Sequence, residues 1–300
     1  MSAVFSQRTR HIAFALVSLF TFIVLAGVTY QSVTTALERQ KYPYPGRLID
    51  VGDHQLHIYC TGPKDGPEGP PPRGSAMPTV VLEAPAAGIS MGWAWVQGDL
   101  SKTRRVCSYD RAGLGWSEAG QAGYDAARVP DELHTLLERA DERGPYVMAG
   151  HELGASFARM FAARFPAETA ALVLVDDPSA TTESSPRASP RLVRAWPWLA
   201  RVGLLRATGV LSRHAAGFPD APGGAMRAFL NRPDHLARGA LEVARLEKTV
   251  TLASASTLES SLPVTRVNTS GEMPPAMLDS ADRAREVTRA LEEAVTRVSR

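Results

Sequence analysis

Gly150-His151-Glu152-Leu153-Gly154 puts a carboxylate at the centre of a short segment bounded by glycines, between an apolar strand-like run and a helical one. Glycines at the first and fifth positions let a strand turn sharply into a helix, holding the middle residue in a strained conformation with its side chain over the sheet. A group displayed in this way can act as nucleophile or base. Glu152 offers both chemistries: it could attack carbon to form an ester, or accept a proton if burial beside Asp176 raised its pKa. Asp176 ends the apolar run at residues 171–175, so it belongs at a neighbouring strand end. The histidines are His11, His54, His57, His134, His151, His214 and His235. His151 reads as part of the turn, and His214 and His235, among arginines, read as solvated, with recruitment as a base the alternative. His151, Glu152 and Asp176 show no metal-ligand spacing, so neither a metal nor a cofactor is expected.

The elements that must carry these groups follow from the hydrophobic pattern. Residues 47–52 and 55–60 read as strands around a Gly52-Asp53-His54 turn, and residues 79–84 (TVVLEA) and 105–109 (RVCSY) as further strands. Residues 125–143 read as a helix with Val129, Leu133, Leu136 and Leu137 on one face, followed by strand, helix and strand over 145–149, 155–165 and 171–175. This alternation predicts parallel βαβ units and a three-layer α/β sandwich. The Pro/Gly-rich residues 61–78 read as a loop within it. Residues 177–261 break the rhythm. They are rich in Arg, Ala and Pro, contain Trp196-Pro197-Trp198, and read as a helical cap over the crevice at the strand ends. A strand over 262–268 and an amphipathic helix over 280–300, with Ala284, Val287, Leu291, Val295 and Val298 inward, complete the order. Trp93, Trp95, Trp196 and Trp198 are expected to pack in core and cap.

Composition narrows the function classes. With 44% apolar and 21% charged residues the chain is globular, which excludes disorder and collagen-like structure. The 33 basic and 31 acidic groups leave a net charge of +2, so no nucleic-acid partner is expected. Cys60 and Cys107 cannot form a zinc ribbon and allow at most one disulfide. Residues 12–37 carry no charge, and residues 12–28 are nearly all apolar, between Arg8 and Arg10 on one side and Glu38, Arg39 and Lys41 on the other. A helix of about 20 apolar residues crosses a bilayer, whereas a signal peptide has an apolar core of roughly 7 to 15. The run therefore predicts a retained anchor, in contact with lipid. Its flanking charges do not set the orientation; the N-terminus is expected inside and the body outside the cytoplasm.

The segments VVLEAPAAG, CSYDRAGLGWS, PYVMAGHELG and LVLVDD, in this order and spacing, make residues 44–300 resemble the α/β-hydrolase superfamily, and in particular membrane-anchored bacterial members of its esterase and peptidase-like branch. The resemblance implies an N-terminal anchor over residues 1–43 and a hydrolase domain over 44–300 with its cap at 177–261. It places Glu152 at the nucleophile position and Asp176 at the acid position, with Glu272 as a second candidate acid. Oxyanion-hole amides would come from Ala86 and Leu153, with Pro85 where the family usually has glycine. Asp110 and Arg111 would fix loop geometry. The second and fourth strands of the family are antiparallel neighbours, so the resemblance also implies a Cys60–Cys107 disulfide in an oxidising location.

Two departures bear on activity. The family's elbow carries serine, and a carboxylate in its place is a weaker nucleophile that would give a mixed anhydride from an ester. The family's catalytic histidine follows a last strand, and no histidine follows residue 235 here. That last strand and its loop are therefore expected to be missing. The sequence thus predicts a membrane-anchored relative of ester and amide hydrolases that is catalytically impaired and acts in binding, with a small apolar ester-like molecule as its ligand. The alternative is an active hydrolase of small esters or alkyl compounds using Glu152 as nucleophile or base, as dehalogenase-like and epoxide hydrolase-like relatives use Asp. A third reading is a shortened gene product.

Overall fold

The computed structural model describes residues 2–64, 77–179, 190–269 and 278–299. After a long first helix, α1 (Ser2–Lys41), come strands β1 (Arg47–Asp50), β2 (Gln55–Thr61) and β3 (Thr79–Glu83), then helix α2 (Ala94–Leu100) and strand β4 (Val106–Tyr109). Helix α3 (Val129–Arg139), β5 (Tyr146–His151), α4 (Leu153–Arg164) and β6 (Thr169–Val175) follow, and β7 (Val264–Val267) and α10 (Ala281–Val298) end the order. Between β6 and β7 lie the cap helices α5 (Pro190–Arg201), α6 (Leu204–Thr208), α7 (Asp220–Phe229), α8 (Pro233–Ala244) and α9 (Leu246–Ala255).

The seven strands form one sheet in the order β1-β2-β4-β3-β5-β6-β7. Only the first two pairings, β1 with β2 and β2 with β4, are antiparallel. Alternate residues of the central strands feed opposite layers, as the two-residue period of a strand requires. Val80, Leu82, Val147 and Val173 pack with Trp93, Val287 and Leu291 from α10 and the α2 side, whereas Val81, Met148 and Leu172 pack with Leu133, Leu136 and Phe161 from α3 and α4. Both faces are covered, which explains the uniformly apolar strand sequences.

The helix expected over 125–143 is shorter. It opens with a single 3-10 turn, Ala126–Arg128, and ends at Arg139, because Asp141 turns the chain at φ 57°. Among the described residues no strand follows β7, which forms the sheet edge.

Helix α1 is long and apolar enough to cross a membrane, and Phe14, Phe20, Phe22 and Leu25 point away from the rest of the chain. Its C-terminal turns dock on the cap. Gln31 is buried and donates from Nε2 to the Asn231 carbonyl oxygen at 2.7 Å, and Glu38 pairs with Arg206.

Candidate active site

The turn after β5 is the strained elbow that its glycines imply. Glu152 has φ 48° and ψ −114°, a conformation that only a tightly determined turn holds in a residue with a side chain. Its N–H donates to the Val175 carbonyl oxygen at 2.9 Å, tying the elbow to β6. A Cβ on Gly150 would fall 2.2 Å from the Gly154 carbonyl oxygen, and one on Gly154 would fall 2.4 Å from that of Glu83. Both positions therefore exclude any side chain, and α4 starts directly at Leu153 close to the end of β3.

Asp176 also sits at positive φ, 49°, one residue beyond β6. Its carboxylate accepts from the Thr269 N–H at 2.8 Å and the Thr269 hydroxyl at 2.5 Å, and His151 Nε2 stands 3.3 Å away. Burial pushes this carboxyl up, but His151 and the two Thr269 donors outweigh it and bring it down to about 2. His151 is itself buried, with its ring edge-on to Trp93. The structure thus brings His151 and Asp176 together at the elbow. Glu272 lies outside the described residues.

Ala86 and Leu153 meet in one apolar cluster with Phe157 and Tyr124. The loop that carries Ala86 is folded by a Gly88 N–H bond to the Pro85 carbonyl oxygen at 2.9 Å, with Ala87 at φ 55°. The Ala87 N–H donates to Glu242 Oε2 at 3.0 Å, so the partner of this loop comes from the cap helix α8.

Glu242 belongs to a buried network that the sequence did not disclose. Arg111 donates to both Glu242 oxygens at 2.9 Å, to Glu83 Oε2 at 3.2 Å, and to the Ala84 and Pro85 carbonyl oxygens at 2.7 and 2.8 Å. The Tyr109 hydroxyl donates to Glu83. Burial pushes Glu83 up to about 7 despite Arg111, while Arg111 outweighs burial at Glu242 and holds its carboxyl below the usual range. Near neutrality one guanidinium therefore faces one full carboxylate and one that shares a proton, which keeps the buried charge balanced.

His235, expected in solvent, is buried instead. The Gly115 N–H donates to its Nδ1 at 3.2 Å and its Nε2 reaches the Ala87 carbonyl oxygen at 3.1 Å, while burial lowers its pKa. These bonds require the neutral ring with its proton on Nε2. His235, Gly239 and Glu242 lie at helical spacing on one face of α8, and a Cβ on Gly239 would fall 2.4 Å from that of Ala87. That spacing was the available signal; its partners in distant loops were not. His214 is exposed, as expected. Asp110 does fix its loop, accepting from the N–H groups of Ser90 and Trp116 and from His57 Nδ1.

Glu152 itself is half-buried at the elbow. The cavity beside His151, lined by Pro85, Gly88, Trp93, Phe218 and Met226, has a volume of about 10 Å³. Cys60 and Cys107 stand opposite each other on β2 and β4 and form a disulfide. Glu142 approaches the same sulfurs, but both are committed to that bond and are not thiolate ligands. Trp93 packs in the core as expected, whereas Trp198 is 69% exposed, against the expectation of cap packing.

Residues 78–209 match the family model described as alpha/beta hydrolase fold. An uncharacterized protein of Schizosaccharomyces pombe is 37% identical over 112 residues, which cover 37% of this chain and 21% of that protein. An uncharacterized vacuolar membrane protein of Saccharomyces cerevisiae is 30% identical over 117 residues, covering 37% of this chain and 18% of its own length. The match to each thus spans about a fifth of the relative. The Cif epoxide hydrolase from Acinetobacter nosocomialis superposes with a TM-score of 0.61 at 14% identity, covering 89% of this chain and 96% of that one, a likeness of fold.

Proposed function

We propose, from the premise that this chain has the alpha/beta hydrolase fold, that it is a single-pass membrane protein whose hydrolase-like body stands outside the cytoplasm and binds rather than cleaves. The observation that carries this reading is Glu152 at the strained elbow position, φ 48°, where the fold presents an attacking hydroxyl. Acyl transfer to serine needs a hydroxyl, a base that takes its proton, and donors for the oxyanion. Here a carboxylate fills the first place, and the adjacent His151 faces Asp176. The cap meets the neighbouring loop, with Glu242 accepting from the Ala87 N–H.

Membrane attachment rests on α1 and on the likeness to a vacuolar membrane protein. The Cys60–Cys107 bond supports a body in an oxidising compartment. The ligand proposed for the elbow is a small apolar ester-like molecule. The test exposes the full chain in detergent to a fluorophosphonate probe and to short-chain aryl esters. No labelling and no turnover above buffer are expected. Turnover that disappears in Glu152→Gln would overturn the reading in favour of a hydrolase that works through this carboxylate.

A further inference from the structure

The corner between α5 and α6 lies directly against α1. A Cβ on Gly27 would fall 2.2 Å from the Val202 carbonyl oxygen, and one on Gly203 would fall 2.9 Å from the Gly27 carbonyl oxygen and 3.3 Å from the Tyr30 ring. Gly27 belongs to the uncharged stretch between Arg10 and Glu38. A bilayer's hydrocarbon takes about 20 helical residues, so a span that starts at Ile12 ends near Gln31. Gly27 then lies in the last turns of that span, and the cap corner is fastened where hydrocarbon gives way to headgroups.

The side chains displayed there suit that layer. Trp198 is 69% exposed and stands four residues before Val202, the residue that follows α5; Leu204 is 48% exposed just beyond the contact. Arg194 is exposed one turn before Trp198, and the Arg201 guanidinium lies 4.7 Å over the Trp198 ring. Water is a poor solvent for an indole this open, whereas the bilayer interface accepts both its apolar ring and its N–H. Guanidinium groups match phosphate oxygens through paired N–H donors.

We propose that the α5–α6 corner is a second membrane contact, with Trp198 and Leu204 seated among the headgroups of the leaflet from which α1 emerges and Arg194 and Arg201 on phospholipid phosphates. This rests on α1 spanning the bilayer, and phospholipid is the occupant because the corner is continuous with that helix. The cap is then held from two sides, by lipid and α1 at this corner and by the Arg111–Glu242 contact at α8.

The test reconstitutes the full chain in phosphatidylcholine vesicles containing phosphatidylglycerol, with acyl chains brominated close to the headgroup. Flotation reports α1, and quenching of tryptophan emission reports the corner, because α1 contains no tryptophan. Both wild type and Trp198→Phe should float, and the variant should lose most of the quenched emission. A fluorophore on Leu204→Cys should shift to shorter wavelength with the vesicles. Chains that float but show equal quenching with and without Trp198 would overturn this proposal and leave the anchor standing. Chains that fail to float would overturn both. Emission from Trp198 that follows protein concentration rather than bromolipid would assign the corner to a second copy and also overturn it.

Discussion

His151 Nε2 faces Asp176 Oδ2 at 3.3 Å across the ends of adjacent strands β5 and β6. Together with the two Thr269 donors, this contact makes Asp176 a strut between the elbow and the end of β7. Its folded pKa, about 2, lies below the ordinary 3.8. The stability it adds is therefore present above the ordinary value and is lost as pH falls through the folded one. Asp176→Asn should lower stability near pH 7 by about 1–2 kcal/mol and flatten the acid limb of the melting profile. Thermal unfolding of the detergent-solubilised chain across acid pH measures this; an unchanged acid limb would refute the strut.

The contact between cap and core rests on a buried cation. Glu242→Ala leaves Arg111 with Glu83 as its remaining carboxylate, and breaking a buried pair from one side costs about 3–5 kcal/mol. It also frees the Ala87 amide. Limited proteolysis should cut α8 and α9 before the sheet domain in this variant and spare them in wild type. Glu242→Gln, which keeps the shape, should fall between the two.

Glu83 gives the same network a pH dependence of opposite sign to that of Asp176. Its carboxyl is pushed from 4.5 up to about 7, burial outweighing the pull of Arg111. A raised folded pKa contributes stability that is complete below the unfolded value and declines as pH rises through the folded one. Wild type should thus lose stability between about pH 4.5 and 7 through this group, and Glu83→Gln should remove that slope. Melting temperatures of both proteins at stepped pH compare the slopes; parallel curves would count against a proton at Glu83.

The sheet was legible because its strands are covered on both faces, and a run such as Ala171–Val175 has few alternatives to a buried strand. The elbow was legible too, since glycine at positions 150 and 154 answers a local steric demand. Non-local polar pairing was not. Nothing in the sequence near Glu242 indicates Arg111, 131 residues away, or that His235 would be drawn out of solvent by the Gly115 amide and the Ala87 carbonyl. Such partners are chosen by how the cap seats on the loops. The exposure of Trp198 is illegible for a related reason: an aromatic residue in a helix suggests packing, and the sequence does not say which face of α5 the rest of the cap leaves uncovered.

Cys60 and Cys107 tie β2 to β4 across 47 residues of chain. Closing a loop of this size restricts the unfolded chain, and reduction should lower stability by about 2–4 kcal/mol. Alkylation without reductant should leave the intact mass unchanged, and reductant should expose both thiols. A Cys60→Ser, Cys107→Ser chain should melt like the reduced wild type. If it melts like the oxidised protein, the bond adds no stability.

Glu152→Ser separates the missing hydroxyl from the rest of the site. The substitution places serine, the nucleophile that the alpha/beta hydrolase fold displays at its elbow, at a backbone position of φ 48° and ψ −114°. A serine still needs a base to take its proton, and removing a triad member generally costs on the order of 10⁴-fold. His151, beside it in sequence, has Nε2 turned to Asp176. The variant should show no more fluorophosphonate labelling than wild type. Labelling of Glu152→Ser would mean that a base already reaches position 152, and that the carboxylate by itself silences the site.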